Sequence, residues 1–113
     1  MSGNFQNIIG AQLGQGEITA AYTIFYKVPP NTRTYIKQFD ICNTTAAAIT
    51  VYVSLVPTGG TAGTTNAILY NTTVASYSAL QWCGAQIINA SGTIQVKASD
   101  VGCTITITGG EAQ

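Results

Sequence analysis

Histidine is absent from this chain, and ionic residues are nearly so: of 113 residues, four are Lys or Arg and four are Asp or Glu. Without histidine there is no imidazole general base, no imidazole metal ligand and no imidazole switch near neutral pH. Charged residues make up 7% of the chain, against roughly 25% in ordinary soluble domains. With a formal net charge of zero, the cationic surface that a free nucleic-acid binder needs to displace counterions is missing, so no nucleic-acid partner is expected. No apolar run approaches the ~20 residues that span a bilayer, and no membrane partner is expected either. The opening Met1-Ser2-Gly3-Asn4-Phe5-Gln6 has neither a basic n-region nor an apolar h-region, so no secretory signal peptide is expected. Nor does any segment hold i, i+3, i+4 apolar spacing over three turns, which argues against an amphipathic helix.

The chemistry-bearing residues that are present do not assemble into a known reaction signature. Cys42, Cys83 and Cys103 are odd in number, and their spacing fits no zinc or redox motif. Cys103 sits on the apolar phase of its segment and reads as a small buried hydrophobe. The four carboxylates, Glu17, Asp40, Asp100 and Glu111, lie near turns or ends, too few for a calcium cage and not placed as a glycosidase pair. The run Gly59-Gly60-Thr61-Ala62-Gly63 has no Lys-Ser or Lys-Thr after it, so it reads as a flexible connection rather than a phosphate cradle. Asn43-Thr44-Thr45, Asn71-Thr72-Thr73 and Asn89-Ala90-Ser91 match glycosylation sequons but read as polar turn and strand residues. No enzyme activity, metal or cofactor is expected.

What the sequence does carry is strand signal. Tyr22, Ile24, Tyr26 and Val28 alternate with Thr23, Phe25 and Lys27 before Pro29-Pro30-Asn31-Thr32 supplies a turn. Tyr35 to Cys42 continues as a strand, with Ile36 out of step with Phe39 and Ile41, which predicts a β-bulge. Val51, Val53 and Leu55 share one face. Ala67–Ala75, Tyr77–Trp82 and Gln86–Asn89 follow with weaker patterning. Ile94, Val96 and Ala98, then Cys103, Ile105 and Ile107, close the chain with clean alternation. Seven to eight short strands predict a single antiparallel all-β sandwich, jelly-roll-like or immunoglobulin-like. The division expected is an extended N-terminal arm over residues 1–17 and a β-sandwich domain over 18–113. Phe5, Ile8, Ile9 and Leu13 are the apolar anchors of that arm, lying either on its own domain or on a partner.

A compact chain of this length exposes about 5,900 Å². Eight charges over that area give about one per 700 Å², little to keep copies apart in solution. Either hydroxyl and amide groups hydrate the surface well enough, or neighbouring subunits cover it; we favour the second. Lys27, Arg33 and Lys37 flank the first turn and are candidates for a mildly basic docking tip. Tyr70, Tyr77 and Trp82 are read chiefly as core or interface aromatics, with a sugar-stacking platform as the alternative.

The chain also resembles a family of small β-sandwich virion proteins of tailed bacteriophages. The resemblance rests on the block Tyr26 to Asn43, on Val51-Tyr52-Val53-Ser54-Leu55-Val56-Pro57 running into the Gly-Gly-Thr-Ala-Gly loop, on Thr93-Ile94-Gln95-Val96, and on Ile105-Thr106-Ile107-Thr108-Gly109-Gly110-Glu111. It covers about residues 20 to 111. It implies a non-enzymatic structural subunit of the virion, assembled in the host bacterial cytoplasm and seated on the capsid, neck or tail. The most concrete form is a capsid decoration or cement protein that bridges capsid subunits. Its partners are then itself, as a homo-oligomer and most simply a trimer, and a major capsid protein or neck and tail proteins. A neck, tail or fibre component is the alternative, and a carbohydrate-binding module is the second. The family brings no catalytic residues.

Overall fold

Alternating β-branched residues on a chain with no helical periodicity leave the backbone one way to satisfy its N–H and C=O groups, which is to pair strands. The computed structural model describes residues 9–112 and contains eight strands. These are β1 (Ile9–Glu17), β2 (Thr23–Lys27), β3 (Arg33–Asn43), β4 (Ile49–Val56), β5 (Ala67–Val74), β6 (Ala79–Ile88), β7 (Thr93–Ala98) and β8 (Cys103–Ala112). They form two four-stranded sheets in the orders β1-β8-β3-β6 and β2-β7-β4-β5, with every pair antiparallel.

The order decides between the two sandwich types. β1 pairs with β8, β2 with β7, β3 with β6 and β4 with β5, as in one long hairpin whose tip is the β4–β5 connection. Wrapping that ribbon adds the β3–β8 and β4–β7 pairings and closes two sheets, which is the jelly roll. Among the described residues only β4 and β5 are both consecutive and paired, unlike the hairpin-rich immunoglobulin arrangement.

Between the sheets lies one core, built from Ile36, Phe39 and Ile41 of β3, Val51 and Val53 of β4, Ile94 and Val96 of β7, and Ile105 and Ile107 of β8, all buried. Full burial of such side chains is worth roughly 1.5–3 kcal/mol each, so the four clean strands supply most of the driving force. The bulge expected in β3 is present. Ile36 pairs with Gly109 and Gln38 with Thr108, leaving Lys37 as the extra residue, so Ile36 and Phe39 both face inward.

Three expectations change. β2 also carries a bulge, between Ile24 and Tyr26, so its alternation breaks: Phe25 turns toward the core and Ile24 is 56% exposed. Tyr77–Trp82 and Gln86–Asn89 are not two strands: all but Tyr77, Ser78 and Asn89 belong to β6, which runs from Ala79 to Ile88 past an irregularity at Gly84-Ala85. Most consequentially, the arm is not separate from the domain over residues 9–17: these form an edge strand paired to β8, and the sandwich begins by Ile9 rather than at Ile18. The glycines that weaken this stretch as a helix have a packing role. A Cβ at Gly14 would lie 2.7 Å from the Phe25 carbonyl oxygen, and one at Gly16 would lie 3.2 Å from the Phe25 ring. Bare backbone lets β1 close against the β2 bulge and seal that side of the sandwich.

Two buried polar networks fasten the ends. At one end Asn43, fully buried, donates through Nδ2 to the carbonyls of Ala47 (2.8 Å), Val74 (3.1 Å) and Ala75 (3.2 Å). Its Oδ1 accepts from Thr45 N (2.9 Å) and Thr45 Oγ1 (2.7 Å), so one side chain joins β3, the turn after it and the end of β5. At the other end Tyr26 of β2 donates its phenol proton to Glu111 Oε2 of β8 and shares a 2.8 Å hydrogen bond with Thr34 of β3, crossing between the sheets. Burial, reinforced by the Glu111 carboxylate, pushes the Tyr26 phenol up to about 12.

Asn43→Ala should cost about 2–4 kcal/mol in urea unfolding, because it strands buried carbonyl partners. Asn89→Ala, at an exposed turn, should stay within about 0.5 kcal/mol. For Tyr26, the folded chain holds its proton to higher pH than the unfolded chain. The bridge therefore contributes fully below pH 10 and is lost as pH rises toward 12. The stability gap between the native chain and Tyr26→Phe, measured as urea midpoints, should narrow steadily across that window.

Candidate interaction surfaces

The period of two that puts valine and isoleucine inside puts their neighbours outside, so the outer face of each sheet follows from the register. On the β1-β8-β3-β6 sheet, Gln15, Thr106, Asp40 and Gln81 form one row across the four strands. Glu17, Thr104, Cys42 and Ala79 form the next row, toward one end. Gln12, Thr108, Gln38 and Cys83 lie on the other side of the first row. Gln38 Nε2 donates to both carboxylate oxygens of Asp40, at 3.0 and 3.3 Å, and Gln12 Nε2 donates to Gln15 at 2.8 Å. Beyond the bulge stand Lys37, the register pair Tyr35 and Ile87 (38% and 63% exposed), and Arg33. Hydroxyls, amides and thiols thus make up much of a face on which acids occupy one half and bases the other.

The outer face of the β2-β7-β4-β5 sheet is furnished differently. The Lys97 ammonium of β7 lies 5.0 Å from the Tyr22 ring centroid and 4.8 Å from that of Tyr52, a cation–π contact on both sides. Tyr52 meets Tyr70 edge-on at 5.0 Å and donates its hydroxyl to Asn71 Oδ1 at 3.2 Å. The 57–66 loop folds back over this sheet: Ser54 Oγ donates to the Gly63 carbonyl, and Asn66 pins the loop through Gly63 N and the Thr61 carbonyl. The glycine-rich connection is therefore held in place by its own asparagine.

Of the predicted contact residues, Phe5 and Ile8 lie outside the described residues. Ile9 opens β1 opposite Glu111, and Leu13 is the bulged residue of β1, half-buried against the core of its own sandwich. Lys27 stands on the β2-β7-β4-β5 sheet opposite Thr93, whereas Arg33 and Lys37 belong to β3 of the other sheet. The three cations are thereby divided between the sheets. Tyr70, Tyr77 and Trp82 are likewise separated. Trp82 stacks on Phe39 at 5.0 Å on the inner side, Tyr70 joins Tyr52 on an outer face, and Tyr77 is 73% exposed in the turn before β6. They form no common sugar platform. Cys103 is buried as expected, and burial, with a smaller effect from Cys42, pushes its thiol up.

The row Tyr22, Lys97, Tyr52 and Tyr70 was not predicted, since its members are far apart in sequence and no local pattern joins them. Among the described residues no group of three acidic or thiol side chains could hold a metal ion, and no helix is long and apolar enough to cross a membrane.

No family model matches the chain, and no curated protein matches its sequence. Among solved structures it is similar to a chain of the infectious bursal disease virus Gx strain, with a TM-score of 0.51 and 8% identity over 89% of this chain and 32% of that one. It is also similar to a chain from Bacillus endospore appendages, described as a novel family of disulfide-linked pili (TM-score 0.49, 15% identity, 95% and 88% covered). A chain of the infectious bursal disease virus Gt strain follows (TM-score 0.45, 8% identity, 93% and 30% covered). This chain spans about a third of the length of the Gx strain chain. At 8% identity that likeness is one of fold, and the fold is an eight-stranded antiparallel β-sandwich.

Proposed function

We propose that this chain is a non-enzymatic structural subunit of a virus particle, most concretely a capsid decoration or cement protein of a tailed phage. The observation that carries the reading is an exposed sheet face on a jelly-roll sandwich, mostly threonine, glutamine and cysteine, whose four ions are sorted by sign, Glu17 and Asp40 in one half and Arg33 and Lys37 in the other. Covering ions with protein costs far more than covering hydroxyls and amides that find new partners. A face of hydroxyls and amides whose ions are sorted by sign is therefore one that a neighbour of complementary charge can cover. Jelly rolls serve as capsid and lectin domains alike, and the dispersal of Tyr70, Tyr77 and Trp82 favours the first use.

The mechanism is mechanical. Copies seated at junctions of capsid subunits bury surface on both neighbours and oppose the outward pressure of packaged nucleic acid. Each contact contributes little, and repetition around a closed shell multiplies it. Phe5 and Ile8 precede β1 in the chain and are the anchors proposed to reach the partner.

Adding the purified chain to undecorated particles should load on the order of hundreds of copies each and raise the temperature at which they release DNA. Removing residues 1–8 leaves β1 whole, so the variant should fold and its occupancy fall. Loading of only a handful of copies would assign the chain to the neck or tail instead, and no loading at all would reject the virion role.

A further inference from the structure

We propose that the outer face of the β1-β8-β3-β6 sheet docks a second copy of this chain, face to face, about a two-fold axis running across the strands. This contact deepens the assembly role proposed above and rests on it.

The charges set the axis. Asp40 and Glu17 lie in one half of the face, Lys37 and Arg33 in the other. A two-fold running across the strands exchanges the halves while keeping each strand over its own counterpart, and as an isologous contact it makes every pairing twice. Let Lys37 of one copy meet Asp40 of the partner copy; the axis then crosses β3 between Gln38 and Phe39. The same operation carries Tyr35 over Cys42 of the partner copy. Because Tyr35 is in register with Ile87, and Cys42 with Ala79, Ile87 falls over Ala79 of the partner copy. The two exposed apolar side chains of this face thus meet small, uncharged ones. On β6 the axis falls between Trp82 and Cys83, which brings Cys83 close to its own counterpart.

Size and the alternative face agree with this choice. Four strands about 4.8 Å apart and ten residues long give a face of roughly 600 Å² per copy, or about 1,200 Å² in all. That reaches the lower bound of stable specific interfaces. The chain's own loop crosses the other sheet at Ser54, and the ions of that face, Lys27 and Lys97, are both cations. Two copies joined there would set like charges together. The ion-bearing face that complements itself is the first one, and it calls for a two-fold where the family resemblance suggests a trimer.

The test is the association state of the full chain by sedimentation equilibrium. A dimer is expected, with association weakened at least about tenfold by Lys37→Asp or by Asp40→Lys alone, through like-charge contact. The two substitutions together should restore it, which a folding defect would not do. A short bis-maleimide should link two copies through Cys83; Cys83→Ser should abolish the link and Cys42→Ser should keep it. A monomer at every concentration, open-ended growth, or single and double variants of equal affinity would overturn the two-fold contact. Particles that still load such a chain would show that the contact failed alone, whereas a dimer that never loads particles would fail the virion role instead.

Discussion

The pairing of β3 with β8 is the constraint on which the rest depends. It runs from Arg33 opposite Ala112 to Asn43 opposite Cys103, joining segments some seventy residues apart. Without it the chain could be a long two-stranded ribbon with one face of isoleucine and valine exposed. With it the ribbon closes on itself, and Ile36, Phe39 and Ile41 gain Ile105 and Ile107 as sheet neighbours. Most of that closure entropy must be spent before any core forms, so non-local strand pairing makes such folds slow to assemble. The same strand carries the Lys37 bulge, which keeps Ile36 and Phe39 inside and presents Lys37 and Gln38 outside in succession. One local irregularity thereby serves the core and the surface together.

Where the sheets end, polar residues take over from apolar ones. Asn43 and the Tyr26–Glu111–Thr34 bridge tie opposite ends of the sandwich, each through a buried or half-buried group whose bonding capacity is largely used. Among the described residues no buried side-chain polar atom lacks a hydrogen-bond partner. Such networks favour one register over its neighbours, because a slip leaves a buried amide or phenol unpaired. Apolar alternation alone would tolerate a slip of two residues; Asn43 would not.

The sequence made some of this legible and hid the rest for identifiable reasons. β4, β7 and β8 were readable because Val51, Val53, Ile94, Val96, Ile105 and Ile107 alternate with polar residues over their whole length. The β3 bulge was readable because Ile36 breaks step. The β2 bulge was not, since Ile24, Phe25 and Tyr26 are all large and apolar or aromatic, and either phase looks like a core face. From sequence β1 reads as an arm because its glycines erase the alternation, when their role is to let Phe25 approach the backbone. The choice between jelly roll and immunoglobulin order lies in long-range pairing, which no local pattern encodes. For the same reason the Tyr22–Lys97–Tyr52 contact was invisible: it exists only because β7 pairs with β4.

The shortage of charge is more thorough than its count suggests, because several of the ions present are already engaged. Lys97 is held between two tyrosine rings, Glu111 takes the Tyr26 proton, and Asp40 receives both amide bonds from Gln38. Each engagement offsets part of the hydration an ion would otherwise demand, so the protein meets water mainly through threonine, serine, asparagine and glutamine. Those groups hydrate adequately when free and exchange water for protein partners at little net cost when covered. An ordinary domain keeps its copies apart with an ionic surface that must be stripped before anything can sit on it. This chain lacks most of that barrier, and the outer face of the β1-β8-β3-β6 sheet segregates by sign the four ions it carries. Charge has been withdrawn from where it would repel a neighbour and left where it can orient one.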